Sequence, residues 1–371
     1  MAILWITEHY YPHQGGMAQS CDRIVSGLRD LGLCIDVIHL AKVCRRRPLG
    51  NPAQGEDRCW SLGDNPSHGL NLLWNWLEQN GQYKKYQKVI AYGIHYALVS
   101  AQNFAAYFDL PLYSFVRGND FDSAVFDSRR RLMIESLYRD SKNVFCVSQD
   151  KKQKISRIFK GVNCTYIANG IDLLQWQVMP SHQTLLNDFR QELPAGKRVI
   201  GLFGHIKDKK GGVFLLETIK LANLSDQLHL LIVGDLDEHT QALLDSPESS
   251  ISYHLLPFTE RNQLIPYYLS CDCIAIPSFY DGMPNVMLES CALAVPVLCS
   301  EVGGMLDVLT HGETAVMFPA GDKNELRAML EFIAFSDGKQ LQEIGLKAQK
   351  LITNKYQASH EALAYYQCLK V

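Results

Sequence analysis

The sequence predicts an α/β chain built as two parallel-sheet domains. Three observations carry that prediction. Short apolar, β-branched runs recur along the chain, each is followed by a turn and a helical pattern, and six such runs lie on either side of a polar stretch near 180–197. Continuous apolar strands alternating with helices mark parallel sheets covered on both faces. At roughly 150 residues per domain, a chain of 371 residues accommodates two such cores.

The strand-like runs of the first half are 2–6, 34–40, 88–92, 111–116, 143–147 and 164–168. Those of the second half are 199–203, 228–233, 251–256, 271–277, 295–299 and 315–318. Helical periodicity predicts helices over 19–31, 123–140, 211–222, 284–293, 326–335, 338–354 and 359–369. The implied plan is a first domain over 1–180, a linker over 181–197 and a second domain over 198–354. A C-terminal helix within 355–371 is expected to pack back toward the first domain.

Composition narrows the classes. A content of 47% hydrophobic and 20% charged residues is that of a globular protein, not a disordered one. Lys plus Arg, 36, nearly balances Asp plus Glu, 39, so bulk charge does not point to nucleic acid. No apolar run reaches eighteen residues, and the apolar start of the chain lacks a basic flank, so it reads as a first strand and not a signal peptide. The eleven cysteines are scattered without a CxxC framework, which points to a reducing compartment. Cys271 and Cys273, two apart in an apolar run, are expected to be buried on one face of a strand.

Residues that could carry chemistry gather just after predicted strands, where open parallel sheets bind ligands. Neither half has GxGxxG after its first strand, which weighs against a dehydrogenase. After 199–203 come Gly204, His205, Lys207, Lys209, Lys210, Gly211 and Gly212. Glycines bracketing cations at a helix start make a phosphate cradle, or simply a solvated basic turn. After 271–277 come Asp281, Gly282, Met283, Pro284 and Asn285. Pro284 suits the first helical position, which would leave the amides of Asn285, Val286 and Met287 open at the helix mouth. Asp281 can accept from polyol hydroxyls or cap the helix, and Glu289, in an apolar helix, can hold ribose hydroxyls or a salt bridge. Gly303 and Gly304 open a third helix mouth after 295–299.

Taken together, Gly204 with Lys210 and Gly211, Pro277-Ser278 with Asp281 to Pro284 and Glu289, and Val302-Gly303-Gly304 resemble the donor half of GT-B glycosyltransferases. The likeness is greatest to glycosyltransferase family 4, the large retaining family of sucrose synthase and bacterial mannosyltransferases. Gly15-Gly16, Val147-Ser148 and Asn169 to Asp172 fit the same pattern, so the resemblance spans nearly the whole chain. It is specific for the superfamily and unspecific for the substrate. It implies two Rossmann-like domains facing each other across a cleft.

Position by position, the resemblance implies that Lys210 pairs with the donor phosphates and that Glu289 binds the ribose. Asp281 stands where the family has the first Glu of a pair, which hydrogen-bonds the donor sugar. Backbone at Gly282, Met283, Pro284, Asn285, Gly303 and Gly304 would hold sugar hydroxyls and diphosphate, with Gly16 approaching from the first domain. Three departures stand out. His205 replaces an Arg that assists the lysine, Asp281 is one methylene shorter than Glu, and Arg117 stands where a His makes a catalytic contact. His95, just past a strand end, joins the catalytic candidates, and His9, His13 and Asp120 are candidates for the acceptor site. Helix-capping and loop-ordering are the plainer readings of those residues.

The expected activity is therefore retaining, metal-independent transfer of a hexose from a nucleoside-diphosphate sugar, by default UDP-glucose, without any cofactor. The acceptor would be a hydroxyl of a glycan or lipid-linked sugar in polysaccharide or glycolipid synthesis. A non-catalytic nucleotide-sugar-binding subunit and a GT-B epimerase are the alternatives. Arg45-Arg46-Arg47, Arg129-Arg130-Arg131 and Lys151-Lys152 with Lys154 are expected either to meet anionic lipid at the inner membrane face or to be solvated. A cytoplasmic location follows from the same reading.

Overall fold

The apolar runs become two sheets in which every strand pair is parallel. The computed structural model describes residues 2–13, 15–44, 54–79, 81–246 and 249–370. They divide into a unit of Met1–Asn169 with Ala358–Val371 and a unit of Gly170–Gln357.

The first unit holds seven strands: β1 (Ala2–Thr7), β2 (Cys34–Ala41), β3 (Asp57–Ser61), β4 (Tyr86–Tyr92), β5 (Leu112–Val116), β6 (Ser141–Cys146) and β7 (Cys164–Tyr166), in the order β3-β2-β1-β4-β5-β6-β7. Successive residues of a strand point to opposite faces, so a central strand must be apolar at every position. In β1, Ile3 and Trp5 join one buried cluster with Ile24, Tyr92, Phe115 and Tyr365, while Leu4 and Ile6 join another with Leu73, Val89 and Phe104. The helices are α1 (Gly16–Asp30), α2 (Pro66–Gln79), α3 (Tyr96–Tyr107), α4 (Asn119–Ala124), α5 (Ser128–Asp140) and α6 (Gln149–Ile158).

Two sequence expectations are corrected in this unit. β3, with the sequence DRCWS, is a half-exposed edge strand and has no apolar run to announce it. The single helix expected over 123–140 is two, because the Asp127 carboxylate accepts from the Arg129 and Arg130 amides and starts a new helix there.

The second unit has six strands: β8 (Arg198–Phe203), β9 (Leu228–Val233), β10 (Ser252–Leu256), β11 (Cys273–Ile276), β12 (Val297–Ser300) and β13 (Val316–Phe318), in the order β10-β9-β8-β11-β12-β13. Its helices are α7 (Pro180–Glu192), α8 (Gly212–Leu221), α9 (Glu238–Leu244), α10 (Ile265–Leu269), α11 (Asn285–Ala292), α12 (Gly303–Val308), α13 (Lys323–Phe335) and α14 (Gly338–Lys355). Where a linker was expected over 181–197, the chain forms α7, which buries Leu186 and packs on α10. The chain passes between the units at Asn169/Gly170 and again at Gln357/Ala358. Cys271 and Cys273 are both buried, but β11 begins at Cys273, so Cys271 precedes the strand.

The C-terminal helix Ala358–Lys370 lies in the first unit against α1. A Cβ on Gly27 would come 2.7 Å from that of Ala362, so the glycine permits the two helices to approach. Arg23 and Glu361 form a buried ion pair at 2.7 Å across the same contact.

In both sheets the winding direction reverses beside the first strand formed. The reversals fall between β1 and β4 and between β8 and β11, which is where open α/β sheets leave a ligand crevice at the strands' carboxyl ends.

Candidate active site

In the second unit, the loops leaving β8 and β11 close on each other at the switch point. Gly211, at the start of α8, has φ +73°, and a Cβ there would fall 2.1 Å from the Pro277 carbonyl oxygen. The Phe279 amide donates to the Lys209 carbonyl at 2.9 Å. This backbone docking brings the Lys210 ammonium onto Asp281 Oδ2, while Asp281 Oδ1 accepts from the Gly282 amide at 2.8 Å. The Lys209 ammonium lies 5.5 Å from the centroid of the Tyr280 ring. Burial opposes the charge on Asp281, but Lys210, Lys209 and the Gly282 amide outweigh it and hold its carboxyl below the usual carboxylate range. The site therefore presents a lysine ammonium and a charged carboxylate beside three helix starts.

The loop after β12 completes this arrangement. Gly303 has φ +51°, and a Cβ on it would fall 2.1 Å from the Asp281 carbonyl oxygen. The Gly304 amide donates to the Gly282 carbonyl. These two glycines thus seat the start of α12 against residues 281–283, so the Asp281 loop is fixed from two sides. Met283 is buried beneath Gly304, whose Cβ would meet its side chain at 2.6 Å. Pro284 stands one position before α11 and not inside it, and the Met287 amide donates back to the Pro284 carbonyl at 3.2 Å. The open mouth of α11 is therefore narrower than the sequence suggested.

Glu289 projects from α11 into a buried aromatic and basic pocket. The Tyr268 hydroxyl donates to Oε2 at 2.8 Å, and the Arg261 guanidinium lies 3.4 Å from Oε1. Tyr268 stacks on Phe203 at 4.0 Å between centroids, and Arg261 stands 5.3 Å from the centroid of the Trp176 ring. His205 is exposed on the loop after β8.

In the first unit, the loop after β1 organises the site through a residue that the sequence pattern did not single out. Glu8 accepts from the amides of Ile94, His95 and Tyr96 at 2.8, 2.9 and 2.7 Å. A carboxylate immediately after the first strand, at the level where helices begin, was the available signal. Anchored in this way, the α3 start carries His95 as an exposed cap residue with its ring 4.4 Å from that of Tyr96. Gly16 opens α1.

A pocket of about 540 Å³ lies at the carboxyl ends of β1 and β2, lined by Glu8, His9, His13, Lys42, Asp64 and Tyr96 among others. Burial lowers the His9 pKa, with Glu8 opposing that shift and His13 adding to it, so its imidazole is neutral at pH 7. The His13 ring packs edge-on to His39 at 4.9 Å.

Asp120 and Arg117 lie at the end of β5. The Asp120 carboxylate accepts from the Arg117 amide at 2.9 Å and the Gly118 amide at 2.6 Å, which closes the turn into α4. The Arg117 guanidinium donates to Asn169 Oδ1 and, at 3.2 Å, to the Tyr365 hydroxyl. Burial opposes its charge, and Tyr92, Tyr365, Glu361 and Asp120 around it favour that charge.

The basic runs separate. Lys151 is buried against Asp122 at 2.8 Å and Asp150 at 3.0 Å, and Lys154 pairs with Asp150 at 2.8 Å, so two of the three lysines of that run are paired with carboxylates. Arg45-Arg46-Arg47 lies outside the described residues, and Arg129 to Arg131 opens α5. Cys44 and Cys59 form a disulfide that the scattered cysteines did not suggest. Among the described residues, no helix is long and apolar enough to cross a membrane, and no group of three or more His, Cys, Asp or Glu is placed to hold a metal ion.

Comparison with known proteins matches residues 185–351 to the family of glycosyl transferases group 1. The Staphylococcus aureus capsular polysaccharide biosynthesis glycosyltransferase CapM is 25% identical over 233 residues, covering 58% of this chain and 57% of CapM. The chain spans about half the length of the curated relatives it matches. Among solved structures, sucrose-phosphate synthase of Thermosynechococcus elongatus superposes with a TM-score of 0.83 at 17% identity, covering 100% of this chain and 98% of that one. Anabaena HepE, solved with UDP-glucose, gives 0.78 at 18% identity, covering 100% and 99%. Residues 185–351 match the group 1 glycosyl transferases, and along its full length the chain has the GT-B fold of two parallel-sheet units.

Proposed function

We propose that this chain is a retaining, metal-independent glycosyltransferase that moves a hexose from a nucleoside-diphosphate sugar to an acceptor hydroxyl. The observation that carries the reading is the Lys210–Asp281 pair, held at the β8/β11 switch point by backbone docking of two loops. Departure of a nucleoside diphosphate requires fixed positive charge where the leaving group's charge develops. Lys210 supplies that charge without a metal ion, with His205 and the backbone at Gly282, Pro284 and Asn285 around it. Asp281 and Met283 position the donor sugar, and Gly303 and Gly304 keep that loop in place.

Glu289 takes the ribose hydroxyls. Tyr268 and Arg261 orient it for that task. The donor is UDP-glucose, a reading supported by the likeness to HepE, whose structure was solved with it. In the transfer, the bond from the anomeric carbon to the diphosphate breaks, the acceptor oxygen bonds to the same face, and the leaving phosphate oxygen takes the hydroxyl proton.

The pocket of the first unit accepts the acceptor. Its neutral His9 can take a hydrogen bond from a sugar hydroxyl, with His13 beside it. His95, Gly16, Asp120 and Arg117 belong to the same strand-end face, and Arg117 acts through Asn169 and Tyr365 as a positioning residue. The acceptor class is a glycan or lipid-linked sugar of polysaccharide or glycolipid synthesis, in keeping with relatives such as CapM.

The test is a panel of UDP-, GDP- and ADP-linked glucose and mannose with simple glycoside acceptors, followed by release of nucleoside diphosphate and the anomeric configuration of the product. Release from UDP-glucose with retained configuration is the expected result. An inverted product overturns the mechanism, and tight nucleotide binding without turnover on any acceptor identifies a binding subunit instead.

A further inference from the structure

The second unit holds another cavity, at the opposite end of its sheet from Lys210 and Asp281. Its volume is about 380 Å³, within the roughly 300–1,000 Å³ of small-molecule sites. It is lined by Val316, the first residue of β13, by the second half of α13 and by the first half of α14. Arg198, the first residue of β8, donates to the Ser336 carbonyl between those helices at 2.8 Å, which places this corner at the strands' amino ends. The loops that carry Lys210, Asp281 and Gly303 leave the carboxyl ends of β8, β11 and β12 instead.

The lining of this cavity divides into an apolar part and a hydrogen-bonding part. Ile344 is buried in it, beside Met329 and the Phe332 ring, which is 37% exposed. Gln340, Glu343 and Lys347 recur at intervals of three and four residues along α14, so they form one stripe of that helix. All three are exposed, and among the described residues no side-chain hydrogen bond or ion pair occupies them. His311 adds a donor. Its Nδ1 accepts from the Met317 amide at 3.0 Å, so the ring proton sits on Nε2. Amide, carboxylate, ammonium and imidazole N–H groups thus stand beside an aromatic face.

We propose that this cavity is a second carbohydrate site, which holds pyranose units of a glycan. A pyranose has a C–H face and a rim of hydroxyls, the two surfaces that Phe332 and the polar stripe complement. Its hydroxyls both donate and accept, so they can serve Glu343 as donors and Lys347 and His311 as acceptors. A purely apolar guest would cover the stripe without hydrogen bonds, at a cost in free energy. A bare phosphate would meet Glu343 as a like charge and gain nothing from Met329, Phe332 and Ile344. In a chain that transfers sugars, the site retains glycan already made. That role rests on the proposed function, whereas the binding itself requires neither donor nor turnover.

The test is NMR of the full chain with isotope-labelled methionine methyls, titrated with methyl glycosides of glucose, mannose and galactose, with maltose, and separately with UDP. Met329 lines this cavity and Met283 lies in the Asp281 loop, so each methyl signal reports on one site. Met329→Leu and Met283→Leu assign the two signals. A saturable shift of Met329 by at least one of the sugars, with Met283 unmoved, is the expected result. Glu343→Gln is expected to weaken that binding about five-fold, and Phe332→Ala about ten-fold. Both positions are exposed, so unchanged melting midpoints will show that the variants fold. A Met329 signal that no sugar moves, or that hexanoate or inorganic phosphate saturates in their place, overturns the proposal. So does equal sugar binding by wild type and both variants. A Met283 signal that UDP leaves unmoved counts against the donor site alone, which keeps the two failures distinct.

Discussion

Replacing Lys210 with alanine removes the ammonium that pairs with the Asp281 carboxylate. The two side chains are 28% and 13% exposed, so the pair lies between a surface ion pair and a buried one. A surface pair contributes about 0–1 kcal/mol, and stripping one member from a buried pair costs about 3–5. The expected loss of stability for Lys210→Ala is therefore about 2 kcal/mol. The functional loss differs in kind. A hydrogen bond from a charged group to a diphosphate is worth about 1.5–3 kcal/mol, which converts to roughly 10- to 150-fold in the affinity for UDP.

Asp281→Asn separates the two effects. It removes the carboxylate that competes for Lys210, so UDP is expected to bind as tightly or up to about five-fold tighter, while turnover of the sugar donor falls at least about ten-fold. Titration calorimetry with UDP on the two single variants and the double variant gives the coupling directly. A Lys210→Ala dissociation constant within three-fold of wild type, or parallel weakening of UDP by both variants, refutes the assignment of charge to the phosphates and positioning to Asp281.

Further expectations follow from the same geometry. Gly303→Ala forces a Cβ toward the Asp281 carbonyl from a left-handed backbone, so it is expected to cost about 3 kcal/mol in urea unfolding and to reduce turnover through the displaced loop. Glu289→Gln keeps the shape but removes the charge facing Arg261, and is expected to weaken UDP about ten-fold while leaving free diphosphate binding unchanged, as competition titrations can show. Burial, then His254 and Lys197, push the His229 imidazole down to about 4, with His254 Nδ1 2.9 Å from its Nε2. The unfolded chain then binds more protons between pH 6.5 and 4, so this group's share of stability is complete above pH 6.5 and falls by about 3 kcal/mol toward pH 4. His229→Leu should flatten that slope by close to one proton, and an unchanged slope would falsify the assignment.

The sheets were legible because their strands are buried on both faces. Burial of that kind leaves no option but a continuous apolar run, as in LHLLIV of β9. β3 escaped because an edge strand with one open face tolerates Asp, Arg and Ser. The break at Asp127 escaped because periodicity continues across it, and only the capping hydrogen bonds reveal the new start. In the site, the sequence showed three helix mouths after strands and the family resemblance grouped Lys210, Asp281 and Gly303, while the adjacency of β8, β11 and β12 that brings them together comes from the sheet order. What spacing does not contain is which groups consume one another. Glu8 bonds three amides 86 to 88 residues away, and Lys151 is buried against two carboxylates although it stands in a basic run. Arg117 likewise looks like a free cation in the sequence, yet its guanidinium is given to Asn169 and to the C-terminal helix. Such partnerships are set by long-range packing and have no local signature.

Calorimetric titration of wild type with UDP, GDP and ADP shows whether the β8/β11 switch point of the second unit holds a nucleoside diphosphate through Lys210. One-to-one binding of UDP that is at least about ten-fold weaker in Lys210→Ala is the predicted result. Absence of binding by all three nucleotides, or UDP binding that Lys210→Ala leaves intact, would contradict it.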